Sequence, residues 1–282
     1  MGSTEQGPGR ARRQTEMELQ EHFEIEKDLA AKLRTAPSRE SRRKLYAEVY
    51  RQRSELIAHH PLVQQASDPA ARAAAVKPQV ALLKPFLTPS SRFCELGAGD
   101  GAVALEVARI AKVALALDVT DVLALESDPS IGFEFRVFDG FDLGLPDESL
   151  DVAFSNDVAE HLHPDDMAEQ AASVWRALRR GGVYVCVTPN RLSGPHDVSR
   201  YFGDAPVGFH LHEYTITELA ETFRGAGFSK VKIVLTVGTR RLSPLMPVGL
   251  VRPLERVLGL LPRRIRRGPS RGLAAVKAVA VK

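Results

Sequence analysis

The chain has few of the features that stabilise small secreted proteins or anchor proteins in membranes. Only two of its 282 residues are cysteine. Cys94 and Cys186 both lie within apolar runs, so we expect reduced core residues and no disulfide framework. Because no run of about 18 apolar residues is present, no membrane-spanning helix is expected. The first ten residues are polar and lack the apolar core of a signal peptide, which predicts a cytoplasmic protein.

The chain also lacks a strong overall charge. Its formal net charge is +3, and its 44% hydrophobic and 26% charged residues are typical of a soluble globular protein. Residues 240–282, however, hold 11 Lys or Arg and one acid, Glu255. This segment therefore carries +10 and leaves −7 for the remainder. A solvated face is the favoured interpretation, with a peripheral contact to an anionic membrane through Arg240–Ser270 as the alternative. No nucleic-acid partner is expected, because the sequence shows no recognisable nucleic-acid-binding motif.

Changes in composition and in hydrophobic pattern divide the chain into five segments. Residues 1–13 are predicted to be a disordered tail, and residues 14–85 a helical extension that acts as a lid. Residues 86–239 alternate short apolar strands with helices, which predicts a doubly wound α/β sheet. Residues 240–272 are predicted to be a basic helical insertion, and residues 273–282 the final strand. The strands are predicted at Arg92–Leu96, Val113–Leu117, Phe133–Phe138, Leu150–Ser155, Val183–Val187, Lys230–Leu235 and Leu273–Val281.

A glycine-rich turn follows the first predicted strand. The strand ends in Glu95-Leu96, and Gly97-Ala98-Gly99-Asp100-Gly101 then leads into a helix. Such a turn lets a nucleotide approach the backbone closely. Gly97, Gly99 and Ala102, with Asp118 downstream, also satisfy the dinucleotide fingerprint of an NAD(P)-dependent oxidoreductase. A pyrophosphate would meet the carboxylates of Glu95 and Asp100, whereas a ligand with ammonium and sulfonium charges would be attracted, so the turn favours a methyl-donor nucleotide.

The run Glu95–Gly101 resembles the first motif of class I S-adenosylmethionine-dependent methyltransferases, and the resemblance continues in order to about Leu235. It implies a Rossmann-like seven-stranded sheet whose last strand is antiparallel, and S-adenosyl-L-methionine as the cofactor. The cofactor-binding residues that it implies are Glu95, Gly97, Ala98, Gly99 and Gly101 at the turn, Asp118 and Val119 at the ribose, Asp139 and Gly140 at the adenine, and Asn156 after the fourth strand.

A long polar segment after the fifth predicted strand resembles loops of bacterial small-molecule methyltransferases. It extends from Thr188 to Tyr214, at the edge of the sheet where long loops shape substrate pockets. The resemblance implies methylation, on oxygen in preference to nitrogen or carbon, of a small-molecule acceptor in a natural-product or glycan pathway. The predicted substrate-binding residues are His196, Tyr201, His210 and Tyr214.

His161 is the predicted catalytic residue. It follows the fourth strand, where it could accept a proton from an acceptor hydroxyl. The structural alternative is a histidine bonded to the backbone at a helix start. No metal is expected, because no helix carries two histidines and a carboxylate at ligand spacing. Three functional alternatives stay open: a lipid or membrane-associated acceptor, an NAD(P)-dependent oxidoreductase and a non-catalytic binding module. The sequence does not indicate the oligomeric state.

Overall fold

The computed structural model describes residues 14–57, 67–237, 240–241, 243–262, 265 and 274–282. The predicted disordered tail, residues 1–13, therefore lies outside the described residues, as does most of the basic run 263–267. The helices are α1 (Glu16–Thr35), α2 (Arg39–Leu56), α3 (Pro69–Leu83), α4 (Ala102–Ala108), α5 (Pro164–Ala177), α6 (Ile216–Gly225) and α7 (Arg252–Leu260). The strands of the main sheet are β1 (Arg92–Leu96), β2 (Val113–Asp118), β3 (Phe133–Val137), β4 (Leu150–Asn156), β5 (Leu178–Pro189), β6 (Lys230–Ile233), β7 (Met246–Pro247) and β8 (Ala275–Val281).

The strands form one sheet in the order β3-β2-β1-β4-β5-β8-β6-β7. Strands β1 to β5 pair in parallel, whereas β8 runs antiparallel to both β5 and β6. The predicted doubly wound α/β fold and its antiparallel last strand are confirmed. The two-residue strand β7 pairs with the edge of β6 and adds an eighth strand to the seven expected. Two residues are too short to show an alternating pattern, so this strand had no sequence signal.

Apolar side chains cover both faces of the sheet. Phe93 and Phe154 belong to the buried cluster that includes α3 and α4, and Cys94 belongs to the opposite cluster with α5 and α6. A parallel sheet covered on both faces needs nearly continuous apolar strands, which is the pattern of β1 and β4. Cys94 and Cys186 are both buried and free, as expected.

The boundary between α5 and β5 differs from the prediction. The basic residues and glycine of Arg179-Arg180-Gly181 are typical of a helix end, but α5 ends at Ala177 and β5 begins at Leu178. Leu178 pairs with Leu150, and the register then shifts before Val152 pairs with Val183. Gly181 takes a positive φ of 75° within this irregular stretch. The glycine thus serves a bulge inside a strand and not the end of a helix.

The N-terminal helices begin at strong caps. A reciprocal capping box between Thr15 and Glu18 starts α1, Ser38 caps α2, and Asp68 caps α3 with Pro69 at the first position. Their apolar faces belong to the buried core, so α1 to α3 are part of the folded body of the protein.

The insertion before β8 carries a helix whose apolar face is divided. Leu250, Val251, Leu254, Val257 and Leu258 recur at helical spacing, which predicts a single apolar face. In the structure Val251 and Leu258 are buried, whereas Leu254 and Val257 are exposed. Glu255 accounts for this orientation, because its buried carboxylate accepts hydrogen bonds from Ile216 N at 2.6 Å and Thr217 N at 2.9 Å at the start of α6. No helix in the described part of the chain is long and apolar enough to cross a membrane.

Candidate functional site

A cavity of about 420 Å³ lies at the carboxyl ends of the parallel strands. This is the edge where ligands bind in open α/β sheets. Its floor comes from the turn after β1, the end of β2 and the segment after β4. Its cover comes from α2 and α3, which contribute Tyr46, Tyr50, Arg53, Ser54, Arg72, Ala75, Val76 and Gln79. Segments that are far apart in the sequence therefore line one cavity.

Positive backbone angles at three glycines form the turn after β1. Gly97, Gly99 and Gly101 have φ of 62°, 58° and 81°. A Cβ at Gly97 would lie 2.3 Å from a methyl carbon of Val158, whereas a Cβ at Gly99 would meet no atom within 4 Å. Gly97 is thus needed for packing, and Gly99 leaves space open for a ligand. Gly101 packs against Phe133 and Phe135 and does not line the cavity.

Asp118 holds the turn from the end of β2. One carboxylate oxygen accepts a hydrogen bond from Gly99 N at 2.8 Å, and the other accepts one from Thr120 N at 3.2 Å. Burial raises the pKa of Asp118 to about 6, although the backbone hydrogen bonds oppose that rise. Each oxygen retains a further acceptor position. Asp118 can therefore accept hydrogen bonds from vicinal hydroxyls in the cavity, beside Val119, which also lines it.

The acidic turn is less anionic than the sequence suggested. Glu95 is 5% exposed and accepts a hydrogen bond from Ala104 N at 2.8 Å. Burial raises the pKa of Glu95 to about 8, so its carboxyl group is largely neutral at pH 7. Asp100 pairs with Arg72 of α3 at 2.8 Å. The turn therefore repels a pyrophosphate less than its sequence suggests, because neither carboxylate presents an uncompensated charge.

The predicted adenine segment is only partly in the cavity. Gly140 lines it, and its carbonyl accepts a hydrogen bond from Gln170 at 2.7 Å. Asp139 does not line it, because its carboxylate accepts hydrogen bonds from the N–H groups of Phe141 and Asp142. Phe141 is fully buried in the core. At the end of β4, Asn156 lines the cavity and donates to Asp157 at 2.7 Å.

His161 lines the cavity in the turn that follows β4. Its Nδ1 lies 3.0 Å from the carbonyl oxygen of Phe209, which can only accept, so Nδ1 carries the proton and Nε2 has a lone pair. Burial, followed by the nearby charge of His210, lowers the pKa of His161 well below its ordinary value. A neutral imidazole with a free Nε2 is competent as a proton acceptor. The sequence offered two alternatives for His161, a proton acceptor in the pocket and a histidine bonded to the backbone. In the structure His161 both lines the cavity and bonds to the backbone.

A second histidine and a buried carboxylate lie beside His161. The rings of His161 and His210 are 4.9 Å apart. Glu160 is fully buried and accepts a hydrogen bond from Thr188 at 2.8 Å through one oxygen. Burial, followed by the charge of Asp157, raises the pKa of Glu160 to about 8. The fold thus joins adjacent residues 160 and 161 to a histidine far along the chain, which sequence spacing could not show.

The four predicted substrate-binding residues do not line the cavity. His210 lies behind His161, where its Nδ1 is 2.8 Å from Glu213. Tyr214 is 2% exposed, and Tyr201 is 56% exposed on the outer surface. His196 bonds to Ser193 at 2.9 Å. The segment from Pro189 to Tyr214, all of which is described, supports the site from behind and does not wall it, because α2 takes that position.

The sequence did not indicate that Tyr50 and Arg53 of α2 would cover the cavity. Arg53 donates to Glu26 of α1 at 2.8 Å and lies 4.7 Å above the ring of Phe209. The ring of Tyr50 is 6.1 Å from the ring of His161. Helical periodicity predicted which faces of α1 and α2 are apolar, but it could not show that a half-buried Tyr and Arg would face the sheet edge.

Comparison with known proteins agrees with this geometry. Residues 94–186 match the model of a methyltransferase domain. The chain is 33% identical over 48% of its length to a probable S-adenosylmethionine-dependent methyltransferase of Mycolicibacterium smegmatis, and 33% identical over 49% to one of Mycobacterium tuberculosis. The aligned regions cover 50% and 48% of those proteins, so the chain spans about half the length of the curated relatives it matches.

Solved structures share the fold. The [4+2]-cyclase SpnF is 18% identical, with a TM-score of 0.56, and the match covers 83% of this chain and 95% of that one. A methyltransferase of Mesorhizobium loti is 17% identical, with a TM-score of 0.50 and coverage of 73% and 96%. Since SpnF is a cyclase, the fold by itself does not determine the reaction.

The fold, the glycine turn and the matched region define a nucleotide-binding α/β protein of the Rossmann-like class. Residues 94–186 are thus similar to the methyltransferase domain of S-adenosylmethionine-dependent methyltransferases, and that similarity implies S-adenosyl-L-methionine as the cofactor. The residues present fit this molecule. The open space above Gly99 accommodates a closely approaching ligand, and Asp118 offers acceptors for hydroxyl groups.

Proposed function

We propose that the chain transfers a methyl group from S-adenosyl-L-methionine to a small-molecule acceptor. The observation that carries the proposal is that one cavity joins the open turn at Gly99 and the carboxylate of Asp118 to the imidazole of His161. Its volume of about 420 Å³ lies within the range of about 300–1,000 Å³ for small-molecule sites. The cofactor-binding part of the site is thus continuous with a base that an acceptor could reach.

The proposed mechanism is a direct displacement that the residues of this chain prepare by orientation. The bound cofactor supplies an electrophilic methyl group. Asp118 and the backbone at Gly99 would hold the nucleoside end, and α2 and α3 would exclude water. His161 would accept the acceptor's proton at Nε2 while the acceptor oxygen forms its bond to the methyl carbon and the carbon–sulfur bond breaks. Orientation can contribute about 7–11 kcal/mol to such a step, and a positioned base about 10²–10⁴ in rate.

For the acceptor, we propose a hydroxyl-bearing small molecule of a bacterial natural-product or glycan pathway. The resemblance of the segment from Thr188 to Tyr214 to loops of small-molecule methyltransferases supports this class. We also propose that residues 14–85 cover the site and that residues 86–239 together with 273–282 hold the cofactor. The experiment is a transfer assay with isotopically labelled S-adenosylmethionine on a panel of phenols and glycosides. Labelled product supports the proposal, and cofactor binding without transfer to any acceptor favours the non-catalytic binding module.

We further propose that the protein works at the surface of an anionic membrane from the cytoplasmic side. Four large apolar side chains at α7 and the turn before it are strongly exposed, namely Leu250 (69%), Leu254 (50%), Val257 (58%) and Leu260 (86%). The basic run Arg263–Arg267 follows directly in the sequence. An apolar strip that is followed in the sequence by clustered arginines is typical of segments that bind an interface of acyl chains and anionic headgroups. The two free cysteines are compatible with a reducing compartment.

A further inference from the structure

The strongest unassigned feature is the cluster of Glu160, His161 and His210. Each residue offers one ligand atom, and these atoms all lie within 4.8 Å of one another. Two residues come from the turn after β4 and the third from the segment before α6. Two imidazoles and one carboxylate are the ligand set of open, catalytic zinc sites.

The second oxygen of Glu160 is a specific sign that the cluster is incomplete. Glu160 is fully buried, and its Oε1 has no hydrogen-bond partner. A buried carboxylate oxygen without a partner is costly, so such groups are usually paired or coordinate a metal. Its Oε2 is held by Thr188 at 2.8 Å, which fixes the orientation of the carboxylate.

Hydrogen bonds also fix the two imidazoles in the tautomer that a cation requires. His161 Nδ1 donates to the carbonyl oxygen of Phe209 at 3.0 Å, and His210 Nδ1 donates to Glu213 at 2.8 Å. In both rings the Nε2 atom is then left for coordination. A histidine whose other nitrogen donates to a carboxylate or a backbone carbonyl is the usual outer arrangement of a metal site.

We propose that Glu160, His161 and His210 bind one divalent first-row transition metal ion, of the Zn²⁺ type, through Oε1 and the two Nε2 atoms. Because zinc bonds to these donors are about 2.0–2.2 Å long, the three side chains must draw closer together on binding. The nitrogen ligands favour such an ion over Mg²⁺ or Ca²⁺. Among the described residues, this is the group that geometry assigns to a cation.

The site would have an open coordination position on the cavity side, since His161 lines the cavity. An acceptor oxygen that binds there would have its hydroxyl pKa lowered, and its proton would leave to solvent. The oxygen lone pair would then form the bond to the methyl carbon as the carbon–sulfur bond breaks. His161 would be a metal ligand in the loaded protein and a proton acceptor in the metal-free one. This role rests on the methyl transfer proposed above, whereas binding of the cation does not.

The test is a binding measurement on the full chain after removal of metal by a chelator. Co²⁺ titration followed by visible absorption, and Zn²⁺ titration in competition with a chromophoric chelator, should each show one equivalent bound. Glu160→Gln and His210→Ala should weaken affinity at least about tenfold to hundredfold. Thr188→Val, which removes only the bond to Glu160, should weaken it less. His212→Ala is the matched control and should bind as the parent does.

Binding of S-adenosylhomocysteine, measured on the same samples, separates the possible failures. We expect every variant to keep that affinity within about threefold, because none of the four residues lines the cavity floor at Gly99 or Asp118. Absence of a metal equivalent in the parent, or Zn²⁺ affinity unchanged in both Glu160→Gln and Thr188→Val, overturns the metal site while leaving the proposed function in place. Metal binding without any binding of S-adenosylhomocysteine overturns the proposed function and not the site.

Discussion

Arg42 on α2 forms a buried two-point ion pair with Asp166 on α5. Its Nε lies 2.5 Å from one carboxylate oxygen, and a terminal nitrogen lies 2.7 Å from the other. Arg42 is 7% exposed and Asp166 is fully buried. Tyr46 donates its hydroxyl to the same carboxylate at 3.0 Å. This network fixes the helix that covers the cavity to the helix that packs on the sheet.

Replacing Arg42 should destabilise the protein strongly. Arg42→Met leaves the Asp166 carboxylate buried without its main partner, which should lower the free energy of unfolding by about 3–5 kcal/mol. Arg39 also reaches Asp166, at 3.6 Å, but its side chain is 50% exposed, so Arg39→Met should cost about 1 kcal/mol or less. Urea unfolding followed by circular dichroism measures both. Equal losses in the two variants would show that burial does not set the strength of this contact.

Cofactor affinity should depend on the ionisation of Asp118. The charged carboxylate accepts hydrogen bonds from hydroxyl groups, and its pKa is about 6 in the free protein. Affinity for S-adenosylhomocysteine should therefore be complete above about pH 7. It should weaken by up to about tenfold per pH unit as the pH falls below 6. Calorimetry from pH 5, about one unit below the transition, to pH 8, about two units above it, checks this.

Asp118→Ala provides the matched control for this pH dependence. The variant should bind S-adenosylhomocysteine weakly at all these pH values, because the titrating group is gone. It should still fold, since the carboxylate bonds to backbone N–H groups of the glycine turn and of the residues that follow β2, and it supports no buried ion pair. A variant that keeps the parent's affinity, or its pH dependence, removes Asp118 from the cofactor site.

His161 should affect turnover far more than cofactor binding. His161→Ala should lower kcat by about 10²–10⁴ on an acceptor found by the transfer assay, because the proton acceptor is lost. Affinity for S-adenosylhomocysteine should stay within a few-fold of the parent. With a phenolic acceptor the loss should shrink at high pH, where the acceptor is already ionised. His212→Ala is the control. Full turnover of His161→Ala at neutral pH would make His161 structural and transfer the question to His196 or His210.

The exposed strip on α7 should mediate binding to anionic vesicles. Leu254→Glu combined with Leu260→Glu should reduce the bound fraction about tenfold or more, because two large apolar side chains no longer enter the interface. Met17→Glu with Leu56→Glu is the matched control, since both residues are exposed apolar positions on other helices. Flotation with anionic and with purely zwitterionic vesicles, at low and high salt, measures the effect. Equal binding of the two double variants, or no binding by the parent, would show that the strip is exposed to solvent and does not bind the membrane.

The positions of seven strands along the chain could be predicted because each lies in a short apolar run. The glycine turn after Leu96 and the acid Asp118 after Leu117 mark the ends of β1 and β2. The limits of β5 could not be predicted in the same way. Its first residues form a bulged pair with β4 that depends on contact with Leu150, a long-range interaction that local pattern does not encode.

The sequence predicted the proposed cofactor side of the site better than the proposed acceptor side. Gly97 and Gly99 are contiguous in sequence and carry a conformational requirement that local pattern reveals. The proposed acceptor side is lined by Tyr50, Arg53 and His161, which belong to different segments and could equally be ordinary surface or core residues when judged from the sequence. The position of His210 behind His161, and not in the cavity, depends on how the segment before α6 folds back.

Calorimetric titration with S-adenosylhomocysteine and, separately, with NAD decides whether the cavity is a methyl-donor site. A matched pair of variants sharpens it, because Gly99 and Gly144 both have positive φ, of 58° and 61°, and both would place a Cβ in open space. Gly99→Val and Gly144→Val should therefore carry similar backbone strain, while only Gly99 lines the cavity. We expect one equivalent of S-adenosylhomocysteine bound by the parent and by Gly144→Val, no binding by Gly99→Val, and no binding of NAD. Tight binding of NAD by the parent without binding of S-adenosylhomocysteine would contradict a methyl-donor site.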